Sequence, residues 1–371
     1  MKILVSAGEK SGDEHAAKVI YALKLLNPEV SVRGMGGSAL RETGAQIDVD
    51  SEASGSVMGF WEVIKNLKKI YQSYKILKNL LTTWKPDVVL LVDYAEFNMH
   101  LATACRKAGV KVYHFIPPQA WAWRKYRVKR MKRDLSGMGV LFPFEKDFYE
   151  NEGVKNVTYV GHPFLEELKN LPSKDEARRE LGIKPYEHSL ILFPGSRTQE
   201  INLHFPVMKE VAFRLKEKYP ELKVLLSATE KFKFEEPLPD WFIVVRNKQN
   251  ILLRAGDFGI IKSGTSNLQA ALCGLPFVMV YKTSKISYFI AQNFIRIPFY
   301  SIVNILRNNT VPEVLQDDFN VENLFMILEQ KLQKNVATNE QTKAFAEILK
   351  CLNTQQLDSG EAVACEVMKL F

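Results

Sequence analysis

Short apolar runs, each closed by Gly, Ser, Pro or Asp and followed by a helical pattern, recur along the whole chain in two series. The first starts at the N-terminal residues 1–6 and continues through 30–34, 87–92, 110–116, 136–141 and 157–161. The second runs through 190–193, 223–227, 242–245, 258–261 and 277–280. Strands that alternate with helices pair in parallel, because each crossover helix carries the chain back to the same end of the sheet. Two such series in 371 residues predict two α/β, Rossmann-like domains with parallel sheets facing a central cleft. The expected boundaries are 1–165 and 166–341, joined through Gly161-His162-Pro163. The remaining residues, 342–371, read as helix without strand. They either pack back on the first domain or swap into the partner of a homodimer.

Composition limits the rest. Hydrophobic residues make up 46% and charged residues 25%, the mix of a soluble globular protein. No apolar run reaches the roughly 18 residues of a spanning helix, and Met1-Lys2 leads straight into a strand, so no signal peptide is expected. Cys105, Cys273, Cys351 and Cys365 are scattered without a CxxC pair, which predicts reduced, mostly buried thiols in the cytosol. The net charge of +8 suits anionic partners such as phosphorylated substrates, anionic lipid or nucleic acid, or serves solubility alone.

The turns at the strand ends carry the candidate chemistry. Residues 7–13, Ala-Gly-Glu-Lys-Ser-Gly-Asp, open a helix directly after the first strand. Such a turn offers backbone N–H groups and a helix dipole to an anion. The spacing is not the dinucleotide Gly-x-Gly-x-x-Gly, and Glu9 and Asp13 would repel a pyrophosphate. At the end of the run 88–92 stands Asp93, with Glu96 and Asn98 just beyond. Asp93 either caps the following helix or serves as a general base at the mouth of the sheet. Residues 193–200, Phe-Pro-Gly-Ser-Arg-Thr-Gln-Glu, read either as a diphosphate-binding turn in which Ser196 and Arg197 grip phosphate oxygens or as a helix cap with a surface arginine. Residues 262–269, Lys-Ser-Gly-Thr-Ser-Asn-Leu-Gln, repeat the pattern: Ser263, Gly264 and Thr265 are placed to wrap a phosphate or ribose, or Ser263 is an ordinary N-cap. The six histidines are dispersed and none has metal-ligand spacing; His15 and His114 follow strands, where each either reaches the cleft or, as is more common, is structural.

Residues 58–81 form an amphipathic, basic stretch. On a helix, Phe60, Val63, Ile64, Leu67, Ile70, Tyr71, Tyr74, Leu77 and Leu81 share one broad face, and Lys65, Lys68, Lys69 and Lys75 lie opposite. This is either a helix packed on a sheet or one lying in a bilayer interface, with Trp61 at headgroup level. A second basic cluster spans 124–133, without a nucleic-acid-binding signature.

Taken together these stretches resemble the lipid-A-disaccharide synthase family. The matching segments are 7–13, 57–63, 85–98, 117–124 (Pro-Pro-Gln-Ala-Trp-Ala-Trp-Arg), 142–149 (Phe-Pro-Phe-Glu-Lys-Asp-Phe-Tyr), 160–163, 194–197, 263–269 and 300–306. The resemblance implies a GT-B fold and an inverting glycosyltransferase. It would join UDP-2,3-diacylglucosamine to 2,3-diacylglucosamine 1-phosphate, giving a β-1,6-linked disaccharide phosphate and UDP, with no metal or other cofactor. It implies Asp93 as base and Ser196, Arg197, Glu200, Ser263, Gly264, Thr265 and Gln269 on the UDP side. Glu9, Ser11, Asp13, Asn98 and Asn304 would line the acceptor side. Phe60, Trp61, Ile64, Leu67, Lys65, Lys68 and Lys69 would face the lipids of the inner membrane, on its cytoplasmic surface. The alternatives are another GT-B UDP-sugar enzyme, such as an epimerase or a lipid-linked sugar transferase, and a non-enzymatic membrane-surface protein.

Overall fold

The computed structural model describes residues 1–52, 60–230, 232, 234, 236–284, 288, 298–333, 336–353 and 357–371. Two compact units divide the chain: Met1–Pro163 with Leu352–Phe371, and Phe164–Cys351. The boundaries therefore fall at 163/164 and 351/352 rather than 165/166 and 341/342. Residues 342–351 stay with the second unit, because the helix Val336–Leu352 packs there through Phe345, which stacks on Phe277.

The first unit holds a seven-stranded sheet: β1 (Lys2–Ala7), β2 (Ser31–Gly36), β3 (Gln46–Asp50), β4 (Val88–Val92), β5 (Lys111–Phe115), β6 (Gly137–Val140) and β7 (Val157–Tyr159). The spatial order is β3-β2-β1-β4-β5-β6-β7, and every pair is parallel. Successive side chains of a strand point to opposite faces. Ile3, Val5, Leu90 and Val92 accordingly pack with Ala16, Val19, Ile20 and Leu23 of helix α1 (Lys10–Leu26). Leu4, Val89 and Leu91 face the other way. They pack on Leu77 and Leu81 of α3 (Phe60–Thr83) and on Phe97 and Leu101 of α4 (Ala95–Lys107). A short α2 (Ser38–Glu42) follows β2. The C-terminal helix Ser359–Met368 returns to this unit. Its Val363, Ala364 and Val367 join the α1 layer, and Gly360 lies so close to the backbone of Lys18 that a Cβ there would sit 3.1 Å from it.

The second unit holds six parallel strands in the order β10-β9-β8-β11-β12-β13. They are β8 (His188–Phe193), β9 (Leu222–Ala228), β10 (Phe242–Arg246), β11 (Phe258–Lys262), β12 (Phe277–Tyr281) and β13 (Glu313–Leu315). Leu190, Leu192, Val224 and Leu226 pack on Met208, Val211 and Leu215 of the helix Thr198–Lys218. Two strands, β3 and β13, are absent from the expected set. Both are sheet edges, where the apolar run that marks a buried parallel strand is not needed. All four cysteines are free; Cys105 and Cys273 are buried, but Cys351 is exposed.

Candidate active site

Both sheets have the same order about their first strand, so each has a switch point where consecutive crossovers leave in opposite directions. In the first unit it lies between β1 and β4, in the second between β8 and β11. Ligands of open parallel sheets bind outside the carboxyl ends of the strands at such points. The register is explicit. Ala7 pairs with Val92, so Gly8 and Asp93 leave neighbouring strand ends; Phe193 pairs with Ile261, so Pro194 and Lys262 do the same.

In the first unit Asp93 and Tyr94 both adopt left-handed backbone, with φ of 49° and 46°. Left-handed geometry costs an L-residue about 1–2 kcal/mol, so the turn needs support. The N–H of Asp93 donates to Phe115 O at 3.0 Å. Its carbonyl accepts from Asn98 Nδ2 at 2.7 Å and from His114 Nε2 at 3.2 Å. The Tyr94 ring lies across Gly8, where a Cβ would come within 2.2 Å of it. The first turn of α1 is close behind: a Cβ on Gly12 would stand 3.9 Å from that of Asp93. The Asp93 side chain is half-buried and, among the described residues, has no ion-pair partner. Desolvation raises its pKa above the ordinary aspartate value, against the opposing backbone hydrogen bond from Tyr94. A desolvated carboxylate at a strand end can accept a proton from a hydroxyl.

Three residues expected to line the acceptor side are occupied elsewhere. Asp13 is 1% exposed, and its carboxylate accepts from Gly37 N at 2.6 Å and Ala39 N at 2.9 Å, at the start of α2. Asn98 is fully buried. It accepts from Ser6 Oγ at 2.7 Å and donates to the carbonyls of Ser6, Val92 and Asp93, tying β1, β4 and α4 together. Asn304 is 1% exposed in the second unit, in a short helix (Ile302–Leu306), bonded through Nδ2 to Val311 O and Glu313 Oε1 and through Oδ1 to Val311 N. Each shapes a loop rather than presenting a free group to a ligand. Glu9 is half-buried as the N-cap of α1, and Ser11 is exposed on its first turn.

The matched segments 117–124 and 142–149 are partners. Buried Glu145 accepts from Trp121 Nε1 at 2.9 Å and from the N–H groups of Leu141 and Phe142. Tyr149 OH donates to Pro118 O at 2.5 Å. Burial pushes the Glu145 carboxyl up to about 7 despite those donors. Glu96 is gripped by Arg124 at 2.7 Å and by Arg127, and this pairing outweighs desolvation to hold its carboxyl below the usual range.

In the second unit the turn after β8 contains Gly195, at φ 120°, then Ser196 and Arg197, both exposed. Glu200 bends back to this turn, accepting from Ser196 N at 3.2 Å and Arg197 N at 3.4 Å. Arg197 Nη1 lies 3.4 Å from its other oxygen. The carbonyl of Pro194 is held by His204, whose Nδ1 is 3.0 Å away. The other ring nitrogen accepts from Lys282 N at 2.9 Å, so Nδ1 carries the proton. Across the switch point Ser263 donates its N–H to Val280 O and its hydroxyl to Tyr300 O. Gly264 and Thr265 are exposed at the N-terminus of the helix Thr265–Leu272, and Gln269 is half-buried one turn further.

His204 and Lys262 were given no role in the sequence reading, which singled out His114 only by its place at a strand. His114 and His204 are buried, and desolvation lowers both; His114 falls to about 4. A lone histidine has no periodicity to betray it; only the strand-end position of His114 was a signal. Of the proposed membrane face, Leu67, Lys68 and Lys69 are exposed on α3, as is Tyr71. The side chains of Phe60, Trp61, Ile64 and Lys65 lie outside the described residues. Among the described residues no helix is long and apolar enough to cross a membrane.

Solved structures share this two-sheet arrangement. The glycosyltransferase of kitacinnamycin superposes with a TM-score of 0.60 at 14% identity, covering 100% of this chain and 98% of that one. The UDP-GlcNAc 2-epimerase from Neisseria meningitidis gives 0.59 at 15% identity, covering 96% and 100%. At such identities the likeness establishes the GT-B-type fold and leaves the chemistry open. The sequence decides it. The family model described as lipid-A-disaccharide synthetase matches residues 3–367. The lipid-A-disaccharide synthase of Geobacter metallireducens is 35% identical over 380 residues, covering 100% of this chain and 97% of the relative. Lipid-A-disaccharide synthase 1 of Legionella pneumophila strain Paris is 36% identical over 337 residues, covering 86% and 85%. The chain belongs to the lipid-A-disaccharide synthase family.

Proposed function

We propose that this glycosyltransferase moves a 2,3-diacylglucosaminyl group from UDP to the 6-hydroxyl of 2,3-diacylglucosamine 1-phosphate, with inversion at the anomeric carbon. The observation that carries the reading is Asp93: a half-buried carboxyl with a raised pKa, on a left-handed turn at the switch point of its sheet. Asp93 takes the proton from the acceptor hydroxyl as that oxygen attacks the anomeric carbon. The bond to the UDP oxygen breaks on the opposite side. The second unit receives the departing diphosphate. Arg197, the hydroxyl of Ser196 and the N-termini of the two helices that follow β8 and β11 offset its developing charge. Gln269 offers an amide to the ribose. His114, Asn98 and Asp13 act as positioning residues for the Asp93 turn and its neighbours.

The acyl chains of both substrates call for an interfacial protein, and we place α3 against the cytoplasmic face of the inner membrane. Exposed Leu67 and Tyr71 beside Lys68 and Lys69 support that placement. Reversing Lys68 and Lys69 to Glu should weaken binding to anionic vesicles at low salt, by about 1 kcal/mol per lost lysine; unchanged binding would remove α3 from the interface. The reaction is tested by supplying both acylated sugars and measuring products. Equal amounts of UDP and a β-1,6 disaccharide phosphate are expected. UDP release without disaccharide would contradict the assignment.

A further inference from the structure

The ion pair between Glu200 and Lys262 has no place in the account so far. Lys262 ends β11 and Glu200 lies in the first turn of the helix after β8, so the pair bridges the switch point of the second sheet. Lys262 Nζ stands 2.7 Å from Glu200 Oε1, and the two side chains are only 16% and 14% exposed. The other oxygen of Glu200 faces the N–H groups of Ser196 and Arg197. One carboxylate thus draws on a lysine, an arginine and two backbone donors at the N-terminus of a 21-residue helix. That donor set suits a phosphate.

The local sequence is built to admit the carboxylate. A Cβ on Gly195 would lie 2.5 Å from Glu200 Oε2, and φ there is 120°, so only glycine leaves room for it. The Lys262 backbone is fixed, its carbonyl accepting from Asn267 Nδ2 at 2.9 Å and Ser266 Oγ at 3.2 Å. Lysine and arginine together exceed the single charge of Glu200. The cluster therefore keeps a net positive charge, augmented by the helix dipole. A diphosphate brings more negative charge than the carboxylate and would compete for the same donors.

Resting on the proposed UDP-dependent reaction, we infer that Lys262 is a direct cation of the donor diphosphate site and that Glu200 is an internal anion holding this site until the nucleotide displaces it. Glu200 is then a competitor of UDP rather than one of its ligands. Calorimetric titration of the full chain with UDP at low ionic strength separates the two roles by sign. Lys262→Met should weaken UDP binding at least tenfold, while Lys262→Arg, which keeps the charge, should stay within about threefold of wild type. Glu200→Gln should tighten UDP binding severalfold, and that gain should vanish in the Lys262→Met background, since no cation is left to release. Weaker or unchanged binding in Glu200→Gln overturns the exchange, and unchanged binding in Lys262→Met overturns the assignment of the lysine. Melting temperatures without UDP verify that each variant folds. Should Glu200→Gln fail to fold, a wild-type-like UDP affinity in Lys262→Met still refutes the inference. A wild-type chain that does not bind UDP overturns the donor reading itself, and this inference with it.

Discussion

The carbonyl oxygen of one residue at each switch point is held by a buried, neutral histidine: that of Asp93 by His114 and that of Pro194 by His204. Neutrality has a measurable consequence. His114 titrates near 4 when folded, below the ordinary 6.5, so between those values the unfolded chain binds a proton that the native one does not. Its contribution is intact above pH 6.5 and is lost as pH falls towards 4. Glu145 has the opposite sign. Its carboxyl is raised to about 7, so its contribution is present below the ordinary 4.5 and is lost as pH rises through 7. The two slopes oppose one another in wild type. In His114→Gln the melting temperature at pH 7.5 minus that at pH 5 should be smaller than in wild type. An equal difference would mean that His114 titrates alike in the native and unfolded chain. The proposed base gives a second pH test. In that role Asp93 works only when deprotonated, and its pKa is raised, so the acid limb of kcat/KM should lie above the ordinary aspartate value of 3.8. Motif reading singled out Asp93 and Arg197 because strand-end carboxylates and arginines advertise chemistry. That Asp13, Asn98 and Asn304 are engaged by the backbone was not legible, since a polar residue in the first turns of a helix looks the same in sequence whether it meets ligand or backbone.

Parallel strands buried on both faces are continuous apolar runs, and that is why β1, β4, β8 and β11, which position both sites, were legible. The edge strand Gln46–Asp50 alternates polar and apolar residues, and Glu313–Leu315 has only three, so neither gave a signal. What joins the elements is harder to read than the elements. Asn98 links β1 to β4 through four hydrogen bonds, three of them buried, yet in the sequence it is one polar residue in a helix. Asn98→Ala leaves Ser6 Oγ and several carbonyls without that partner. Each such group costs about 1–3 kcal/mol. A loss of about 2–4 kcal/mol in unfolding free energy is expected on that basis, with a fall in kcat as the Asp93 turn loosens. Urea denaturation checks the first, and a loss below 0.5 kcal/mol, within the range of ordinary surface changes, would show that the network is dispensable.

The two-unit organisation follows from the repeated strand–helix rhythm, but the return of the C-terminal segment does not. Residues 352–371 carry a helical pattern that fits either unit, and the fit of Gly360 against the Lys18 backbone, with Val363 and Val367 in the α1 layer and Lys111 donating to Leu370 O, assigns it to the first. Truncation after Cys351 would strip the apolar cover from α1. Burying side chains such as Val363 and Val367 contributes about 1.5–3 kcal/mol each, so the truncated chain should melt well below the intact one. An unchanged melting temperature would make the segment an appendage. At this scale the proposed reaction divides its labour, with a proton acceptor at the end of one sheet and an anion-binding turn at the end of the other. The most direct test is Asp93→Asn, assayed for disaccharide formation and, separately, for UDP binding. The account predicts a turnover loss of about 10²–10⁴-fold, with UDP affinity and melting temperature retained. Turnover at the wild-type rate would contradict it.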